Sequence, residues 1–311
     1  MSVLVSICIP AYSRTAFLKR LLDSVEMQSF KDYEVIVCDD SPDESVKDLC
    51  ERYKTIEKLS YHKNLTPLGT PENWNECIRR AKGSWIKLMH DDDWFAGEDA
   101  LKSFVEAIGK QEKGLLFSAY TNYFDDTGGK KIVFPEKFRI GWIRKTPSVI
   151  MAKNIIGPPS VVMHRNDGAY FYDTQLKWLV DIDMYRRRME TDPLVYINQP
   201  LINVGISKTQ VTAHVKMVPE VEIPEHFHFL QKMGVDKLKN IWVYDYWWRF
   251  IRNFRINTVQ ELERFHPQGQ VPLILQRMIR FQNRVPKRVL NAGVFSKMLM
   301  FWHYCINRRK I

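Results

Sequence analysis

Asn73 to Phe95 reads NWNECIRRAKGSWIKLMHDDDWF, and this stretch decides the fold. Its first part, Glu72 to Ala81, has the apolar spacing of a helix, and Trp85 to Met89 is a short apolar run of strand character. Asp91-Asp92-Asp93 follows that run directly. Adjacent carboxylates at the exit of a buried strand repel one another unless a cation or water screens them. They are natural ligands for a hard cation such as Mg²⁺ or Mn²⁺, which needs only one or two carboxylates when substrate phosphates complete its shell. A solvated acidic loop or helix cap is the rival reading of the triplet taken alone.

The same alternation continues outward. Val3 to Ile9 is a β-branched run that Pro10 is expected to stop, followed by a helical face of Phe17, Leu18, Leu21, Leu22 and Val25. Glu34 to Cys38 predicts a second strand ending at Asp39-Asp40, and Ser41-Pro42 is expected to open a helix with Val46, Leu49 and Tyr53. A weaker strand is expected at Leu59 to His62. This β-α-β rhythm predicts an α/β fold with a mostly parallel central sheet and helices on both faces. Ligands of such sheets bind beyond the carboxyl ends of the strands, where Tyr12-Ser13-Arg14, Asp39-Asp40 and Asp91-Asp92-Asp93 stand.

Further along, Ser160 to His164 predicts a strand and Ile182 to Met189 a helix. Asp181 and Asp183 sit between apolar neighbours at that helix start, where burial would raise a carboxyl's pKa and suit it to act as a base. Favourable charge at a helix N-terminus is the plainer account of both. Asp39-Asp40 likewise reads either as turn and capping chemistry or as a contact to a base or ribose. His62, His90 and His214 are possible ligands, though lone histidines are more often packed or surface residues. No H-E-x-x-H, P-loop or G-x-G-x-x-G pattern occurs, which argues against zinc peptidases, P-loop kinases and dinucleotide-dependent dehydrogenases.

In order and spacing, VSICIPAYSR (Val5 to Arg14), EVIVCDDSPDES (Glu34 to Ser45), residues 73–95 and WLVDIDMYRR (Trp178 to Arg187) together resemble the family 2 glycosyltransferases. The resemblance covers roughly residues 1–205. It implies the A-type nucleotide-diphospho-sugar transferase fold and an inverting transfer from a nucleotide-diphosphate sugar to a glycan or lipid-linked acceptor. Pro10, Ala11 and Tyr12 would line the base pocket with Arg14 nearby, and Asp39 and Asp40 would contact base and ribose. The triplet matches the metal-binding Asp-x-Asp motif. Asp92 and Asp93 are taken as ligands and Asp91 as substrate-binding, although His90 can align with the motif's first position and shift the register. Asp181 matches the catalytic base, with Asp183 as fallback because Val180 replaces an acidic neighbour. Ser13 stands where Asn is common.

The 311 residues are 45% hydrophobic and 26% charged, an ordinary globular profile, with a net charge of +10 concentrated after about Arg249. That charge keeps polyanions and anionic lipid headgroups in play. Residues 1–215 are expected to form the catalytic domain and residues 216–311 a helical, aromatic and basic extension. Segments around Trp242 to Phe254 and Val294 to Ile306 would pack on the catalytic domain or a second subunit, or lie in a membrane interface. Nucleic acid is disfavoured, because the aromatics concentrate in helices and the acidic triplet would repel phosphate without a metal. Five scattered cysteines, no signal-like start and no long apolar run predict a cytoplasmic chain, peripheral on the inner membrane face if it meets lipid at all. A non-catalytic nucleotide-sugar or polyanion-binding protein on the same fold is the alternative.

Overall fold

A computed structural model of the chain describes residues 3–109, 112–207, 217–265 and 270–311. In chain order the sheet half contains β1 (Val5–Ala11), α1 (Thr15–Glu26), β2 (Tyr33–Asp39), α2 (Ser45–Cys50), β3 (Leu59–Lys63) and α3 (Glu72–Arg80). It continues with β4 (Trp85–Leu88), β5 (Trp94–Phe95), α4 (Ala100–Ile108), β6 (Leu115–Phe124), β7 (Gly129–Val133), α5 (Lys137–Lys145), β8 (Val162–Arg165), α6 (Val180–Thr191) and β9 (Leu194–Ile206). The strand order is β3-β2-β1-β4-β8-β6-β9-β5, with β7 paired to β6. The β3-β2-β1-β4 half is parallel as expected, and the remainder is mixed, with β8 antiparallel to both β4 and β6.

Two expectations about proline need correction. β1 does not stop at Pro10 but continues to Ala11. The Cys8 carbonyl accepts from the Met89 N–H on the β4 side at 2.8 Å, and the Ala11 carbonyl accepts from the Asp40 N–H on the β2 side at 3.0 Å. Pro10 therefore faces the β4 side, past the strand's last residue, where no ladder partner requires its missing N–H. Pro42 lies ahead of α2 rather than in its first turn: the helix starts at Ser45, whose N–H donates to Asp43 Oδ1 at 3.1 Å. The strand expected from Ser160 begins at Val162, after a 3₁₀ turn over Pro159–Val161.

Successive side chains of a strand point to opposite faces, and this alternation builds two cores. Val5, Ile7, Ile9, Val35 and Val37 join Leu18, Leu21, Leu22 and Val25 of α1 in the first. Cys8, Ile36, Cys38, Ile86 and Leu88 join Trp74, Cys77 and Ile78 of α3 in the second. That second core is completed by the C-terminal helices α7 (Pro219–Met233), α8 (Ile241–Asn253), α9 (Val259–Phe265), α10 (Leu273–Gln282), α11 (Lys287–Asn291) and α12 (Gly293–Asn307). The aromatics of α8 face inward: Tyr244, Trp247, Trp248 and Phe250 are buried, so this helix is packing and not a lipid-facing surface. The boundary expected between residues 215 and 216, like His214, lies outside the described residues. Among the described residues no helix is long and apolar enough to cross a membrane.

Candidate active site

β1, β2 and β4 are parallel neighbours, so their carboxyl ends lie side by side. Arg14, just ahead of α1, ties the first of these ends to the last. Its Nε donates to Asp91 Oδ2 at 3.0 Å, one Nη donates to Asp91 Oδ1, and the other to Asp92 Oδ2 at 3.2 Å. Arg20 lies over the Trp94 ring, 3.6 Å from its centroid, and donates to the Asp92 carbonyl at 2.9 Å. From β9, the Gly205 N–H donates to Asp93 Oδ1 at 3.1 Å. A Cβ at Gly205 would stand 2.5 Å from the Asp92 carbonyl oxygen, so the strand comes this close only as glycine.

Below the triplet, Ser160 accepts the His90 N–H at 2.9 Å and bonds the Asp93 carboxyl. The Lys87 ammonium is fully buried, donates to the Ser160 carbonyl and sits 4.8 Å from the Phe104 ring centroid. Burial dominates the electrostatics here. It pushes Asp93 well above the usual carboxylate range, with the Asp92 charge adding to the rise. It lifts Asp91 to about 6 against the opposing pull of Arg14, and lowers Lys87 to about 7. Burial also lowers His90 to about 4, which leaves a neutral imidazole at pH 7.

Ligand atoms of His90, Asp92 and Asp93 lie within 4.8 Å of one another. Atoms sharing a small divalent ion at about 2.1 Å stand at most about 4.2 Å apart, so a slight inward rotation completes the set. The buried Nε2 of His90 has no hydrogen-bond partner among the described residues, as suits a metal ligand. The residues fit a divalent cation, and His90 stands with the expected Asp92 and Asp93 in the cluster that could hold one.

The end of β2 is different. Asp39 Oδ1 accepts from the Ser41 N–H at 2.8 Å and from its hydroxyl, while Oδ2 accepts from Tyr61 at 2.8 Å and Lys63 at 3.2 Å. Asp40 Oδ1 accepts from Asn64 at 2.8 Å and the Leu68 N–H at 3.0 Å, and its Oδ2 from the Gly69 N–H at 2.8 Å. Asp39 thus ties β3 and the turn after β2 together, and Asp40 holds the loop after β3 against the sheet. Beside them Tyr12 is 58% exposed, and Ser13 takes a left-handed φ of 56° while its N–H donates to Ser41 Oγ at 2.7 Å. Such a conformation in a non-glycine residue is strain of the kind found at ligand sites.

Asp181 lies in the first turn of α6, bonded at Oδ2 by Asn154 (3.0 Å) and at Oδ1 by the Ile182 N–H (2.8 Å). Desolvation lifts its carboxyl to about 6. Asn154 also closes the loop to Gly157, accepting that residue's N–H at 3.1 Å. The Tyr120 ring packs where a Gly157 Cβ would be, 2.8 Å from that position, and it feels the Asp93 charge. Tyr120, Gly157, Asn154 and Asp181 therefore form a continuous wall, and the Asp93 charge bears on its Tyr120 end. Asp183 is excluded as the fallback base: it is buried and paired with Arg187 at 2.8 Å, Lys232 at 2.7 Å and Arg186 at 3.4 Å. From α7, Glu225 accepts the N–H groups of Lys177, Trp178 and Leu179 at 2.7, 2.8 and 3.1 Å, so the C-terminal helices help to seat α6.

Sequence reasoning missed Ser160, Asn154, Gly205 and Glu225, which carry no local pattern. Lys87 did leave a signal, a lone charge inside an apolar strand.

The sequence profile of glycosyl transferase family 2 matches residues 6–159. The poly(ribitol-phosphate) beta-glucosyltransferase of Bacillus spizizenii is 24% identical, over 90% of this chain and 48% of that protein. The chondroitin synthase of Escherichia coli is 25% identical, over 76% of this chain and 34% of that one. The chain spans 33% to 66% of the length of the first curated relatives it matches. The crystal structure of S. aureus TarS 1-349 in complex with UDP-GlcNAc superposes with a TM-score of 0.59 at 16% identity, over 93% of this chain and 92% of that one. That likeness establishes the shared fold.

Proposed function

Since residues 6–159 place the chain in glycosyl transferase family 2, we propose that it is an inverting, metal-dependent glycosyltransferase. It would move a sugar from a nucleotide-diphosphate sugar to a hydroxyl of a glycan or lipid-linked acceptor in bacterial surface polysaccharide synthesis. Residues 1–215 would be the catalytic domain, and residues 216–311 an extension that braces it. The observation that carries this reading is the cluster of His90, Asp92 and Asp93 together with the wall of Tyr120, Gly157 and Asn154 that holds Asp181 and whose tyrosine feels the Asp93 charge. The activities of the relatives and the UDP-GlcNAc complex of TarS support a sugar polymer acceptor and a UDP-sugar donor.

In this reading Asp181 takes the proton of the acceptor hydroxyl as its oxygen attacks the anomeric carbon. The bond to the nucleoside diphosphate breaks on the opposite side, so the configuration inverts. The two Asp181 oxygens offer about four lone-pair sites, and the bonds from Asn154 and from the backbone N–H groups of Asp181 and Ile182 leave one for that proton. His90, Asp92 and Asp93 would hold the cation, whose chemistry is to stabilise charge growing on the leaving diphosphate. An imidazole beside two carboxylates favours Mn²⁺ over Mg²⁺. Pro10, Ala11, Tyr12 and Arg14, with Asp39 and Asp40, would frame the nucleotide.

Asp181→Asn should abolish transfer while nucleotide diphosphates with Mn²⁺ still raise the melting temperature. Near-normal turnover of this variant would sink the assignment. Donor binding without turnover in the unaltered chain would favour the non-catalytic alternative.

A further inference from the structure

Helix α12 has its polarity reversed. Its inward face is Ser296, Met300, His303, Tyr304 and Asn307, held largely by hydrogen bonds. Trp248 Nε1 donates to Ser296 Oγ at 3.1 Å, the Tyr244 hydroxyl lies 2.6 Å from His303 Nδ1, and the Tyr304 hydroxyl donates to the Lys239 carbonyl at 2.6 Å. These bonds fix the helix's rotation. The outward face is Val294, Phe295, Met298, Phe301, Trp302 and Ile306, each between 47% and 73% exposed. Their spacing keeps them on one stripe, the arrangement a helix ordinarily turns towards a core.

The charge is as one-sided as the stripe. Residues 264–311 hold ten of the chain's 46 Lys and Arg and none of its 36 Asp and Glu, which leaves residues 1–263 with 36 of each and no net charge. The whole excess of +10 thus belongs to the segment that carries α12. Exposed Lys297 lies on the helix, Arg308, Arg309 and Lys310 close its C-terminus, and Lys287 and Arg288 open α11 before it.

A second copy docking by this face would bring its basic turns against their own copies. Nucleic acid would answer the charge but leave the aliphatic Val294, Met298 and Ile306 uncovered. An anionic bilayer satisfies both features, headgroups taking the cations and the acyl boundary taking the stripe. We propose that α12 and the basic turns at its two ends are the surface by which this chain lies on an anionic lipid membrane. The inference deepens the function above by supplying a place to meet a lipid-linked acceptor, and rests on that reading for the acceptor alone.

The test is co-sedimentation of the full chain with vesicles of equal parts phosphatidylglycerol and phosphatidylcholine, and with phosphatidylcholine alone. Binding to the first should fall at least tenfold in Phe295→Ser/Phe301→Ser, and separately in Arg308→Gln/Arg309→Gln/Lys310→Gln. Both variants should keep the melting temperature and its rise with nucleotide diphosphate and Mn²⁺, which separates this proposal from the catalytic reading. No sedimentation with anionic vesicles overturns it. So does unchanged binding of the Phe variant, which would mean attraction by charge alone. A concentration-dependent dimer that the Phe variant dissociates, without vesicle binding, would assign the stripe to a second copy and overturn it as well.

Discussion

Two strands of the parallel half end in adjacent aspartates, and the two ends have opposite character. At β2 the carboxylates of Asp39 and Asp40 are bonded on every oxygen by the turn and loop around them. At β4, Asp91 and Asp93 are held with raised pKa values beside a histidine nitrogen that has no hydrogen-bond partner among the described residues. Acidic strand ends look alike as letters, but one is a structural knot and the other, in the function proposed above, holds charge for a ligand. Buried carboxylates that are fully bonded stabilise a fold, whereas those kept near neutrality by desolvation cost stability and are retained for chemistry.

The largest effect should come from breaking the β4 end. Asp93→Asn is expected to lower transfer by about 10²–10³-fold, the scale of losing a key electrostatic contact in a transition state. Its melting temperature should hold or rise, because the Gly205 and Ser160 bonds can be kept by the amide. A large loss of stability would erase the contrast between the two ends. Asp39→Ala should do the reverse, costing roughly 3–5 kcal/mol in denaturant unfolding, since Tyr61 and Lys63 lose a buried charged partner. A stability change below about 1 kcal/mol would show that the β2 end is no knot.

The finest test is pH. Asp181 must be ionised to take a proton, so transfer should rise as pH passes through about 6. The sign for stability is opposite: the folded pKa lies above the unfolded value, so the carboxyl's favourable contribution is complete below about 4 and is lost as pH rises through 6. Thermal melts of Asp181→Asn should therefore gain on the unaltered chain from pH 4 to 7. A constant difference would place Asp181 among the satisfied acids.

The apolar runs of β1, β2 and β4 were legible in the sequence because strands buried on both faces must be apolar throughout. So was the acidic end of β4, whose carboxylates follow the run after His90 alone. The wall of the site was not. Asn154, Ser160 and Gly205 act through polar contacts that reach 27, 70 and 112 residues along the chain, and no local periodicity records such a contact. Nor could sequence separate α8 from α12. Both mix aromatic and basic residues at helical spacing, and only packing shows that Trp247 and Trp248 face inward while Phe295 and Phe301 face outward.

The segregation of charge also bears on how the molecule travels. A body neutral over 263 residues and strongly positive over its last 48 is a large electric dipole. Near a negative surface such a dipole feels a torque once it comes within about a Debye length, ~8 Å at physiological salt. The molecule is turned before any side chain makes contact, so a larger share of collisions arrives with α12 leading. Added salt would then act chiefly by slowing arrival, because it shortens the distance over which the turning is done.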